Sequence, residues 1–482
     1  MLPMQAQLIE TVRQRFGEKA VTTDPETIAP WLSDWRGRYR GSAPAMLTPA
    51  SRDEVAAMVA LAAEARVALV PQGGNSGMVG GATPPTDGSA LLLSLRRMNR
   101  IRAMRPESNL AIAEAGVILA DFRDAAEAAG RRFPMDLGAR GSATIGGLVS
   151  TNAGGTQVLR FGNMRQLVAG VEAVLPDGSI HDGLAPLKKD NRGYDLNQLM
   201  IGAEGTLGIV TAATLRLAPA MVSRAVAWVG LESPVRALAL LRAMEAKTDT
   251  IESFEILPAP VLDLVVGHVP GTRAPLESRH AWHVLIEAVA TDLAQESPAA
   301  LLERLLGTAL ESGLVGDAVI AASEAQAEAF WKIRHSISES ERAAGPAVQH
   351  DISVPVDDMP RFMIEGAAEA ERRFPGTRTI AYGHLGDGNV HFHVRAPQGV
   401  GPEAFYGGDA PAITRLVHDM VVAAGGSISA EHGIGQMKRA ELERLGPPSR
   451  VAALRAIKAA LDPRGILNPG KLVALAPDAA TP

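Results

Sequence analysis

Two short segments of this chain concentrate residue types that bind metals and move protons. The first is AYGHLGDGNVHFHV, residues 381–394. Asp387-Gly388 is a turn signal between two alternating runs, so the segment reads as a β-hairpin. A hairpin brings His384 and His391 together across its turn, and His391 and His393, two apart, share one strand face. The second segment is SAEHGIG, residues 429–435, with Glu431 and His432 side by side. Two histidines and one carboxylate make an open metal site, which leaves coordination positions for a substrate. The plain alternative is a set of polar hairpin residues with ordinary hydrogen bonds. Three histidines, a carboxylate and dense glycine in two short segments favour the metal.

Glycine-rich text recurs earlier. The loop PQGGNSGMVGG (71–81) follows the apolar run Val67–Val70 directly. Consecutive small residues there leave backbone N–H groups to converge on an anion, as in a phosphate-binding nest. A second stretch, GARGSATIGGLVSTNAGG (138–155), and a third, IGAEGTLGIVT (201–211), follow. No G-x-G-x-x-G is present, which disfavours a dinucleotide Rossmann fold, and no G-x-x-x-x-G-K-[ST], which excludes a P-loop.

The elements that must hold these loops are legible in outline. Residues 50–65 read as a helix, opened by the capping box of Ser51 and Glu54. Leu91–Leu93 is a second apolar run, 116–129 an amphipathic helix, and Val168–Leu175 a strand ending in the turn Pro176-Asp177-Gly178. Beyond about residue 220 the texture changes. Strand-like runs (225–231, 281–289) alternate with Ala-rich helices (234–247, 297–312, 357–374), and two Gly/Pro-rich loops fall near 268–275 and 396–411. The expected class is α+β. The expected division is a helical segment at 1–41, a nucleotide domain at 42–220, a substrate (cap) domain at 221–428 carrying the hairpin, and a tail at 429–482 that packs back on the nucleotide site.

Composition removes several functions. The chain has 482 residues, too many for one ordinary core. The net charge of -6, with no long Lys/Arg run, argues against nucleic acid as a partner. The absence of cysteine excludes disulfides, Cys-ligated zinc, an iron–sulfur cluster and a C-x-x-C-H haem site. Electrons from any redox step must therefore leave to an external acceptor. No stretch reaches the ~18 apolar residues of a membrane span. The N-terminal text lacks a signal-peptide pattern. The expectation is a cytoplasmic protein, at most peripheral to the inner membrane.

Taken in order, PQGGNSGMVGG, PMDLGARGSATIGGLVSTNAGG (134–155) and IGAEGTLGIVT resemble the FAD domain of the vanillyl-alcohol oxidase / p-cresol methylhydroxylase superfamily. The resemblance implies that Gly73, Gly74, Asn75, Ser76, Gly77 and Met78 hold the FAD pyrophosphate. It implies that Pro134, Asp136, Leu137, Gly141, Ser142, Thr144, Gly146, Gly147, Asn152, Gly154 and Gly155 line the isoalloxazine, ribose and phosphates. Glu204, Gly205, Gly208, Ile209 and Val210 then meet the adenine side and the ring. Several relatives bind FAD covalently through a histidine in the first loop. Asn75 lies in that region here, with no histidine, so a non-covalent flavin is expected.

The hairpin and the SAEHGIG segment resemble the D-2-hydroxyacid dehydrogenase branch, which includes D-lactate and D-2-hydroxyglutarate dehydrogenases. The resemblance makes His384, His391 and Glu431 metal ligands and His432 the general base beside the flavin. It returns Asn468, in LNPGK, to the flavin ring. A 2-hydroxy acid presents a hydroxyl and a carboxylate on adjacent carbons, which a divalent metal can chelate together. Zinc is the first expectation, with manganese, iron and cobalt open. Arg334, in the helix-like FWKIRHSIS, becomes the grip on the substrate carboxylate, a role its planar fork suits. Ser338, four residues on, is expected on the same face, and His393 beside the substrate. His393 stands where some relatives carry asparagine, and Gln349 where relatives acting on 2-hydroxyglutarate tend to carry lysine; loss of that lysine puts a C5 diacid in doubt and favours a monoacid such as D-lactate or a longer hydroxy acid. The expected acceptor is an electron-transfer flavoprotein, a quinone or a cytochrome. The alternatives are an oxidase that reduces oxygen and a non-catalytic flavoprotein subunit. A homodimer is compatible with the text.

Overall fold

A computed structural model describes residues 2–475. The chain forms two compact units. The first comprises the described residues of 1–154, 162–219 and 431–482, and the second 155–161 and 220–430.

In the first unit, the helix Arg52–Ala65 begins as its capping text demands. The Ser51 hydroxyl accepts from the Glu54 amide at 3.2 Å, and the Glu54 carboxylate accepts from the Ala50 amide at 2.8 Å. Val55, Met58, Val59, Ala62 and Ala63 recur at helical spacing and are buried against Leu69, Leu91 and Leu93. These leucines belong to a four-stranded sheet ordered Val21–Thr22, Met46–Leu47, Ala90–Ser94, Ala68–Gln72. The last three run parallel, and Ala90–Ser94 is buried at every residue, as a strand covered on both faces must be. A five-stranded antiparallel sheet follows, with Ile209–Arg216 at its centre between Leu110–Glu114 and Val168–Val174. The amphipathic helix expected over 116–129 spans Leu119–Ala128.

The C-terminal tail is built into this unit. The buried Lys458 ammonium donates to the Thr206 carbonyl (2.7 Å), the Leu467 carbonyl (2.9 Å) and Asp462 (2.5 Å). Asp462 in turn accepts from the amides of Ile466 and Leu467. Leu467 then bridges to Leu69 in parallel, at the edge of the four-stranded sheet.

The second unit is one seven-stranded antiparallel sheet, ordered Asp317–Ile320, Ser223–Leu231, Trp282–Ala290, Ile251–Pro258, Arg378–His384, Asn389–Arg395, Ala347–Ser353. One face is apolar apart from a few polar residues such as His350 and Thr379, and packs against the helices Pro234–Glu245, Pro298–Glu311, Met359–Arg373 and Ala410–Ala423. The other face is divided. Trp228, Leu257, Leu285 and Ile380 pack against the helices Ala259–His268, Glu324–His335 and Ile337–Ala343. The rest of that face is polar, because the strand alternation at its far end places Glu255, Tyr382, His384, Asn389, His391, Asp351, Gln349 and His393 there.

Two expectations need correction. The text 396–411 is not one loop, since Pro402–Gly407 is helical. Gly155 and the short helix Val158–Phe161 belong to the second unit, where Arg160 pairs with buried Glu252 at 2.6 Å.

Candidate active site

The hairpin forms as its turn predicts. Gly388 takes φ +79, the Asp387 carboxylate accepts from the Asn389 amide at 2.9 Å, and Tyr382 faces His391 in register. His384, two residues beyond Tyr382, stands diagonally across from His391 with ring centroids 5.4 Å apart. Tyr382 lies against His391 at 5.0 Å and edge-on to His393 at 5.4 Å.

A residue the sequence reading missed organises this cluster. Buried Glu255 pairs in register with His384 on the neighbouring strand. Its Oε1 accepts from His384 Nδ1 at 2.6 Å, and its Oε2 accepts from Arg334 Nε at 2.7 Å. Burial would raise this carboxyl, but the charges and hydrogen bonds of His384 and Arg334 outweigh it and pull it to about 2. Because the carboxylate accepts a hydrogen bond from Nδ1–H, Nε2 is the nitrogen of His384 turned toward any ligand; it lies 3.4 Å from Arg334 Nη2. The Arg334 guanidinium also sits 5.5 Å over the Tyr382 ring. Burial, with the neighbouring positive charges of His384 and Arg334, pushes His391 well below the usual imidazole range, so it is neutral.

A second carboxylate repeats the pattern further along the sheet. Buried Glu341 accepts from His393 Nδ1 at 2.8 Å and from Arg395 Nη2 at 2.5 Å. The expectation for Ser338 is revised by the same helices. The helix bearing Arg334 ends at His335, the chain turns at Ser336, and Ser338 is an exposed residue of the next helix, Ile337–Ala343.

In the first unit, the glycine-rich segments lie against one another. A Cβ on Gly74 would stand 1.7 Å from the Ser142 carbonyl oxygen, and one on Gly73 2.2 Å from Thr144 Oγ1. Asn75, Asn152, Glu204 and Asn468 all adopt positive φ (53°, 50°, 52° and 44°), a conformation that costs a non-glycine residue energy and clusters at functional sites. Asn75 donates to the Ser33 carbonyl, and Asn152 accepts from the Arg165 amide. Asn468 donates to the carbonyls of Gly81 (2.9 Å) and Glu204 (2.7 Å), so the tail clamps the first glycine loop to the third. The Glu204 carboxylate accepts from the amides of Ile434 and Gly435, both at 2.7 Å, which fixes the 431–435 loop beside the same residues. Burial raises the Glu204 carboxyl against these amides and the charges of Lys438 and Lys471, and burial likewise lowers Lys471 to about 8.

Residues 43–183 match the FAD-binding domain family, and residues 221–472 match the C-terminal domain of FAD-linked oxidases. The mitochondrial D-2-hydroxyglutarate dehydrogenase of Arabidopsis thaliana is 37% identical over 464 residues, which covers 96% of this chain and 80% of that protein. The D-2-hydroxyglutarate dehydrogenase of Xanthomonas citri pv. viticola is 36% identical over 465 residues, 96% of each. The chain belongs to the FAD-linked oxidase family. Its fold is that of p-cresol methylhydroxylase (TM-score 0.76, 16% identity, 99% of this chain and 98% of that one) and of alkyldihydroxyacetonephosphate synthase (TM-score 0.72, 15% identity, 97% and 86%).

This FAD-linked oxidase is thus an FAD-dependent dehydrogenase acting on a hydroxy acid. The first unit fits the cofactor. Cβ atoms on Gly77 or Gly141 would meet nothing within 4 Å, so these backbones border open space, and the buried oxygens Thr144 Oγ1 and Asn468 Oδ1 lack protein partners. The second unit fits a divalent metal through its donor set: one imidazole oriented by a carboxylate and one held neutral. Among the described residues, no helix is long and apolar enough to cross a membrane.

The clamp by Asn468 has a measurable consequence. Asn468→Ala loses two buried hydrogen bonds, about 1 kcal/mol each, and places alanine in the left-handed region, about 1 kcal/mol more. Asn468→Gly loses the bonds alone. Denaturant unfolding of the holoenzyme should therefore rank wild type above glycine above alanine, with FAD retention in the same order. Equal stability of the alanine variant and wild type would remove Asn468 from this role.

Proposed function

We propose that the enzyme oxidises a D-2-hydroxy acid to the 2-oxo acid, with non-covalent FAD as immediate acceptor and a divalent metal held by His384, His391 and Glu431. The three offer two imidazole nitrogens and one carboxylate oxygen, and Glu431 follows directly on Ala430, whose amide donates to the Asp351 carbonyl at 3.4 Å. The observation that carries the reading is the Glu255–His384 hydrogen bond beside neutral His391, since it prepares two lone pairs on adjacent strands. A bound divalent ion, zinc first, supplies Lewis-acid activation of the hydroxyl. Bound FAD supplies the two-electron acceptor for the Cα hydride.

The chain's own residues do the rest. Arg334, its plane set by Glu255, grips the C1 carboxylate through a charge-assisted fork. His432 takes the hydroxyl proton as general base, a role suited to imidazole. His393, held by Glu341, borders the rest of the acid. The electrons leave to an external acceptor, an electron-transfer flavoprotein, a quinone or a cytochrome.

D-2-hydroxyglutarate is the first acid to test, because relatives similar along nearly the whole chain carry that name. Gln349 faces His393 in register and is the position that decides the tail. Lysine there would add a charge-assisted bond to a distal carboxylate, so Gln349→Lys should raise the kcat/KM ratio of D-2-hydroxyglutarate to D-lactate about tenfold or more. An unchanged ratio would place the tail elsewhere. The function itself is tested by anaerobic bleaching of the flavin with D- and L-2-hydroxy acids. Equal reduction by both enantiomers, or by neither, overturns the reading.

A further inference from the structure

We propose that Glu255 is a positioning residue of this site, one carboxylate that sets both the metal-binding imidazole of His384 and the guanidinium of Arg334. The inference rests on the metal reading above. The backbone brings the two strands together here: Glu255 pairs with His384 and Ile256 with Gly383, and the carboxylate and imidazole emerge on the same face. Gly383 permits the close approach at the hairpin mouth, since a Cβ there would lie 2.1 Å from the Asn389 carbonyl oxygen. Arg334 arrives from the helix Glu324–His335, 79 positions away in sequence. Each carboxylate oxygen has its own donor, at 2.6 Å and 2.7 Å, and Glu255 is 1% exposed.

The two bonds do different chemistry. The bond to Nδ1 fixes the tautomer of His384, directs Nε2 away from the sheet neighbour and raises the basicity of that nitrogen. The bond to Arg334 Nε fixes the plane of the guanidinium. A carboxylate serves both donors at once, whereas an amide has a single acceptor oxygen and would present an N–H group to the other donor. Metal affinity and the grip on the substrate carboxylate are therefore set by the same residue. Glu252, on the same strand and also buried, pairs with Arg160.

The test uses the FAD-loaded enzyme and its Glu255→Gln, Glu255→Asp and Glu252→Gln variants. Metal Kd is read by chelator competition and by the d–d absorption of Co(II) on titration. KM and kcat for a D-2-hydroxy acid are read at saturating metal. Glu255→Gln should raise the metal Kd about tenfold or more, alter the Co(II) spectrum and raise KM. Glu255→Asp keeps the charge but shortens the reach, and should weaken metal binding as well. Glu252→Gln should leave metal Kd and the Co(II) spectrum as in wild type. Wild-type metal uptake with unchanged Kd and spectrum in a folded Glu255 variant overturns the role of Glu255 alone. Absence of metal uptake by wild type overturns the metal reading and this inference with it. A metal Kd that rises equally in Glu252→Gln overturns the specific role in favour of general loss of buried charge.

Discussion

Replacing His432 by alanine should slow anaerobic flavin reduction by a D-2-hydroxy acid about 100-fold or more, the scale of losing a general base, while leaving FAD bound. The separation of the two effects follows from how the loop is held. Its anchor is the Glu204 carboxylate, which takes the amides of Ile434 and Gly435 at 2.7 Å each, and Gly433 between them and His432 turns at φ +80. A Cβ on Gly433 would lie 2.8 Å from Glu204 Oε1, so the turn is tight against its anchor. Truncating His432 removes an imidazole and none of these backbone bonds. The visible flavin spectrum should therefore match wild type while the rate of bleaching falls. Bleaching at the wild-type rate would mean that another group accepts the proton.

Much of this was legible in the text, for identifiable reasons. Asp387-Gly388 between alternating runs dictates the hairpin, and with the hairpin comes the diagonal approach of His384 to His391, because strand register follows from the turn. Ser51 and Glu54 announce their helix because capping is local chemistry. Glu255 was not legible: it is one acidic residue in an apolar strand, and its partners lie 129 and 79 positions away. The signal available was the oddity itself, since a carboxylate amid Phe254, Ile256 and Leu257 is buried and must be paired. Glu341 was hidden in the same way, in charged helix text that reads as solvated surface. Ser338 misled because i, i+4 spacing shares a face only within one unbroken helix, and the turn at Ser336 lies between. The boundary at Gly155 has no compositional mark. Glycine-rich text runs through it, and tertiary contacts such as the pairing of Arg160 with Glu252 and the Ser253–Thr156 hydrogen bond assign the segment.

Removing divalent metal should lower turnover on the order of 100-fold or more, with full recovery when metal is restored and no loss of flavin. A Lewis acid that stabilises a developing alkoxide contributes several kcal/mol, and about 3 kcal/mol is already a hundredfold in rate. Burial, with the neighbouring charges of His384 and Arg334, lowers the His391 imidazole well below its usual range, which favours the neutral form that a metal needs. None of the residues proposed for the flavin, among them Gly73, Gly74, Thr144 and Asn468, is one of the three proposed metal ligands. The flavin spectrum should accordingly survive chelation. His391→Ala should mimic the chelated enzyme and resist rescue by added metal, which separates loss of a ligand from loss of the ion. Turnover indifferent to chelator after exhaustive dialysis, with metal content below the enzyme concentration, would sink the metal model. Glu255, His384 and Arg334 would then be read as a carboxylate-bridged pair that grips the substrate's carboxylate without an ion.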